Sequence, residues 1–150
     1  MQRINGKGRS TMSILRTILA VLLGLVLGSV VNMALVMASG HVIPPPAGAD
    51  MTTAEGIRAA LPLLEPKHFL FPFLAHALGT LVGAFVAARI ARDHRLFAAM
   101  IVGVFFLCGG IMAARMIPAP TWFIAADLLL AYIPFAWFGH RLAAKGRRAS

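Results

Sequence analysis

Asn32, His76, Arg115 and Asp127 stand out from the apolar sequence around them. An amide, an imidazole, a guanidinium and a carboxylic acid together offer an ion pair, a group that titrates near neutral pH, and hydrogen bonds to complete both. Two readings fit. In one, the four form a polar staple that holds helix register. In the other, they line a pocket for a proton, an ion or a small polar ligand, with Asp127 as the titrating acid and His76 as its partner. Arg115 and Asp127 flank the short Met116–Pro120 turn, which makes them the expected ion pair, with His76 and Asn32 completing its hydrogen bonds.

Other chemistry is poorly represented. No nucleophile–base pair, metal-ligand spacing or nucleotide loop is visible, so no enzyme activity, cofactor or metal is expected. His41, Glu65 and His68 match no metal motif and read as ordinary boundary residues. The single cysteine, Cys108, excludes an internal disulfide and a cysteine-built zinc site, and reads as a packing residue. Met33, Met37, Met100, Met112 and Met116 read as core or lipid-facing side chains rather than copper ligands.

The elements that must position these residues are long and apolar. Hydrophobic residues make up 59% of the 150 and charged residues 13%, where a soluble domain has about 25% charged. The 14 basic residues outnumber the 5 acidic ones, yet so few charges among so many aliphatic residues exclude a nucleic-acid binder. Four stretches, approximately 17–40, 69–88, 96–114 and 120–139, are each near the roughly 20 residues that cross a bilayer as a helix. Their apolar runs are too continuous for alternating barrel strands. The expected fold is all-α: a single transmembrane domain, a bundle of four transmembrane helices. The first stretch is longer than the 7–15 residues usual for a signal-peptide core and reads as an uncleaved anchor.

Basic residues predict the orientation. With the N-terminus cytoplasmic, the inner segments hold Arg3, Lys7, Arg9, Arg16, Arg89, Arg92, Arg95, Arg141, Lys145, Arg147 and Arg148, against Arg58, Lys67 and Arg115 outside. The positive-inside rule then puts both termini on the cytoplasmic side of the membrane. Trp122 and Trp137 stand at opposite ends of the fourth stretch, as interfacial anchors do. Counting helical rise, Asn32, His76 and Asp127 lie about 12, about 10 and about 8 Å below the outer boundary, with Arg115 close to it. All four polar residues thus fall in the outer half.

The outer loop, 41–68, opens on Pro44–Pro46 and contains Thr52 and Glu55, spaced as a capping box for a short amphipathic helix through about Leu61. Pro134 is expected to bend the fourth helix. Small residues recur every fourth position: Ala20, Gly24, Gly28 and Asn32 in the first helix, and Ala75, Gly79, Gly83, Ala87 and Ala91 in the second. Gly103 and Gly110 mark a looser ridge in the third. Such ridges let helices approach closely in lipid, either within one chain or at the seam of a homo-oligomer.

The run HALGTLVGAFVAARIA (His76 to Ala91), with GGIMAARMIPAPTWFIAADLLLAYIPFAWFGHRL (Gly109 to Leu142), resembles a type of small, uncharacterised bacterial integral membrane protein of about this length. The resemblance covers most of the chain after Asn32. It implies a four-helix inner-membrane protein and brings no activity with it. GSVVN and CGG are similar to fragments of fluoride-channel motifs, but the phenylalanine- and threonine-rich filter run is absent. Small multidrug transporters keep a glutamate in their first helix, where this chain has no acid before Gly40. Vitamin K epoxide reductase-like enzymes need paired cysteines. The expected role is therefore a structural or accessory membrane protein whose partners are the lipid bilayer and another membrane protein or a second copy. The alternative is a small transporter or channel with an outward-facing pocket built on Asp127, Arg115, His76 and Asn32.

Overall fold

A computed structural model describes residues 3–145, with side chains from Ser10 onward. Arg147 and Arg148 lie outside the described residues, as do the side chains of Arg3, Lys7 and Arg9. The helices are α1 (Arg3–Val42), α2 (Ala54–Ala60), α3 (Leu70–Ile90), α4 (Arg95–Met116), α5 (Thr121–Leu130) and α6 (Ile133–Lys145). Two short 3₁₀ turns, Leu61–Leu63 and Pro66–Phe69, join α2 to α3. Four helical stretches are long and apolar enough to cross a membrane: α1, α3 with its preceding turn, α4, and α5 with α6.

The first helix is longer than the apolar stretch inside it. No proline occurs before Pro44, so nothing breaks the polar N-terminal part, and α1 ends two residues short of that proline. The fourth stretch is divided. Pro134 has no N–H to give to the Leu130 carbonyl and its ring crowds that turn, so α5 stops at Leu130 and the chain turns through Ala131 and Tyr132 before α6.

Packing follows the small residues. A Cβ on Gly24 would lie 2.5 Å from the Gly83 carbonyl oxygen, and one on Gly28 would lie 2.6 Å from that of Gly79. The reverse approaches, Gly79 to the Gly28 oxygen and Gly83 to the Gly24 oxygen, are 2.8 and 2.7 Å. The two ridges therefore meet each other, antiparallel, inside one chain. Gly139 on α6 lies as close to the Leu81 carbonyl on α3, and Gly103 on α4 receives Ala136. Helix α3 is thus the centre of the bundle, with a core made largely of alanines such as Ala84, Ala87, Ala88 and Ala136.

This antiparallel order gathers Arg16, Arg89, Arg92, Arg95, Arg141 and Lys145 at one end of the bundle and Arg58, Lys67 and Arg115 at the other. At the first end Arg16 donates its Nε–H to the Ile90 carbonyl at 2.7 Å, and Ser13 donates its hydroxyl to Asp93 at 2.7 Å. A cation on the last turn of α3 satisfies an orphan carbonyl and meets the negative end of the helix dipole. Arg141 lies over the Trp137 ring, 4.8 Å from its centre.

In the 43–69 connection, α2 forms, but not from the predicted capping box. Its N-cap is Thr53, whose hydroxyl accepts from the Gly56 N–H at 3.0 Å. Thr52 instead donates both its N–H and its hydroxyl to Asp50, at 2.8 and 2.6 Å, and the Thr53 hydroxyl adds a third bond at 2.9 Å. Those donors, the Thr52 hydroxyl foremost, hold the Asp50 carboxyl below the usual aspartate range. Helix α2 is amphipathic: Ala60 is buried and Ile57 half-buried, while Glu55 and Arg58 are exposed. Lys67 similarly holds the exposed Glu65 below its ordinary value through a hydrogen bond and its charge.

Candidate functional site

Asp127 lies within α5 on the side that faces α3, and only 5% of it is exposed. A buried carboxylate needs donors, because an unpaired charge taken out of water is expensive. His76, on α3, supplies one: its Nδ1–H reaches Oδ1 at 2.8 Å and Oδ2 at 3.0 Å. Tyr132 supplies the other, donating its hydroxyl to Oδ2 at 2.9 Å. The imidazole and phenol rings stack, with centroids 5.6 Å apart. Tyr132 is almost wholly enclosed, at 1% exposure, and its hydroxyl end sits against Gly110 of α4, where any Cβ would collide with it. The cluster thus ties α3, α4 and the divided α5–α6 together.

Each part depends on a local feature of the chain. On a straight helix, residues five apart point about 140° away from each other. The turn at Ala131–Tyr132, forced by Pro134, is what swings the Tyr132 hydroxyl back onto Asp127. Gly110 leaves the space that the ring fills. Phe69, Trp122 and Phe123 pack at the mouth of the same helix pair, with Phe69 rings 5.5 and 5.0 Å from the other two.

The predicted Arg115–Asp127 pair does not form. Arg115 is exposed at the last turn of α4, where its charge suits the helix C-terminus, and Asp127 turns the other way, to His76 and Tyr132. Asn32 does not complete the cluster either. It packs its Cβ against Gly79, one turn from His76, and makes no hydrogen bond to His76 or Asp127. Of the four sequence-predicted residues, the structure brings two together. It adds Tyr132, the chain's single tyrosine, whose hydroxyl inside an apolar stretch was the available signal.

No protein family, curated protein or solved structure matches the chain.

The chemistry must therefore be read from the geometry alone. An ionised Asp127 can only accept, so Nδ1 of His76 carries a hydrogen and the lone pair of the neutral ring resides on Nε2. The His76 side chain is 25% exposed. The arrangement is a partly exposed imidazole fixed through Nδ1 against a buried carboxylate. Further along α3 and α6, Thr80 Oγ1 and His140 Nδ1 are buried without a partner among the described residues. Cys108 does not pack inward as expected: two residues before Gly110 on α4, it faces away from Tyr132 and is exposed. His41, Glu65 and His68 do not assemble a three-ligand group among the described residues. His68 Nδ1 instead accepts from the Glu65 N–H at 2.9 Å.

Proposed function

We propose that this chain is a multi-pass protein of a bacterial inner membrane, with four spans and both ends in the cytoplasm, that serves as a structural or accessory protein for another membrane protein. The basic residues gathered at the end of the bundle that carries both chain ends support the orientation. One observation carries the accessory role: α1 is seated on α3 by one narrow glycine face, while the buried acid inside the spans is already satisfied by His76 and Tyr132. Leu19, Leu23, Val26 and Val30, on the rest of α1, are about half exposed along the length of the span. A helix so little enclosed by its own chain is suited to be shared with a neighbour.

Photo-cross-linking side chains placed at Leu19, Leu23 and Val26 in native membranes test this. The accessory role predicts one recurrent protein adduct from all three positions, lost when Val26→Arg is introduced and absent from a probe at Ala20, which faces α3. Adducts to lipid alone from every position would overturn it.

A second reading is favoured by the partial exposure of the His76 ring. A partly exposed imidazole backed by a buried carboxylate suits a proton-linked pocket for an ion or a small polar ligand. Proton uptake by proteoliposomes, compared between the native chain and His76→Gln, separates the readings. Uptake abolished by that substitution favours the pocket, and uptake equal to that of empty vesicles favours the staple.

A further inference from the structure

Helices α1 and α4 both lean on α3 but touch each other sparingly, so a groove of about 580 Å³ opens between them. It lies in the half of the bundle next to the basic end. Its walls are Ile18, Val21 and Leu22 on one side and Phe97 and Ile101 on the other, and His94 stands at its end. The volume falls within the ~300–1,000 Å³ range of small-molecule sites. The polar end of the groove is strongly cationic. His94, which lines it, is exposed; its chain neighbours Arg92 and Arg95 are exposed and half-buried, and Arg16 on α1 reaches the Ile90 carbonyl just before this turn. The single acid of this turn, Asp93, accepts the Ser13 hydroxyl and keeps its charge, so the three arginines outnumber it and the net charge here is positive.

A molecule matching this shape is apolar along its body and anionic at one end. A single hydrocarbon chain fits without separating α1 from α4. We propose that the groove binds an anionic phospholipid of the leaflet next to the chain ends. Its acyl chain lies along Val21, Leu22, Phe97 and Ile101, and its phosphate is held by Arg92 and Arg95 beside His94. Cationic pockets between spans on the cytoplasmic side recognise acidic head groups in this way, and guanidinium groups suit phosphate oxygens. The site rests on the reading of the four helices as bilayer spans.

The test uses the full chain purified in mild detergent, with thermal melting and native mass spectrometry as readouts. Phosphatidylglycerol, phosphatidylcholine and inorganic phosphate are added separately. Phosphatidylglycerol should raise the melting temperature and remain bound in the spectrometer, and neither phosphatidylcholine nor phosphate should match it. Arg92→Gln and Arg95→Gln should each weaken the lipid about fivefold, and both together on the order of thirtyfold. Leu22→Trp, which fills the groove from its exposed side, should abolish retention while leaving the helical signal unchanged. Equal effects of the two lipids, an equal effect of free phosphate, or lipid retained by Leu22→Trp would each overturn the proposal. A chain that stays monodisperse without detergent would overturn the membrane reading itself, whereas a detergent-dependent chain with no lipid preference overturns the groove alone.

Discussion

The seam between α1 and α3 and the cluster between α3 and α5–α6 hold the same bundle together by opposite means. In the seam there are almost no side chains: Gly24 faces Gly83 and Gly28 faces Gly79, backbone against backbone. Its stability is dispersion between surfaces that fit. In the cluster the fit is chemical. Asp127 is acceptable in the interior only because His76 and Tyr132 both donate to it. A seam fails by having something added, a cluster by having something removed.

Gly83→Leu should have the largest effect. Even a Cβ at this position lies 2.7 Å from a carbonyl oxygen that belongs to a helix backbone and cannot swing aside. Folded protein in detergent should be lost with Leu, whereas Gly83→Ala should cost about 1–3 kcal/mol. A Gly83→Leu chain that melts normally would mean that α1 does not pack on α3 by this face.

Tyr132→Phe should cost about 1.5–3 kcal/mol, the range for a hydrogen bond to a charged group. The same substitution should cost almost nothing in a Pro134→Ala background, where α5 and α6 can run on as one helix and carry the hydroxyl away from Asp127. Equal costs in both backgrounds would show that the turn does not create the contact.

The smallest effect is on the 43–69 connection. The Asp50 carboxyl is held low by Thr52 and Thr53, so the order it confers is present above the unfolded aspartate value. That order is lost as pH falls through the lower, folded value, so protection of the Gly56 amide from hydrogen exchange should hold at neutral pH and fade below about pH 4. Asp50→Asn should remove this pH dependence.

The contrast also explains what could be read from the sequence. Span lengths and the glycine repeats survive any rotation of a helix about its axis as patterns in one dimension, so the four long helices and the two ridges were legible, but not that the ridges meet each other. Which way a polar residue points was not. Arg115 and Asp127 are close along the chain, but proximity across a short turn does not make their side chains face each other. Tyr132 is five residues from Asp127, a spacing that reads as opposite faces until the break before Pro134 is taken into account. Thr52 and Thr53 differ by one position, and Asp50 decided between them by taking Thr52 for itself.

Two double-mutant cycles on thermal melting in detergent, His76→Leu with Asp127→Leu and Arg115→Leu with Asp127→Leu, test the staple most directly. The geometry predicts a coupling of about 1–3 kcal/mol in the first cycle, and additivity within about 0.5 kcal/mol in the second. Strong coupling to Arg115 together with additivity at His76 would contradict it.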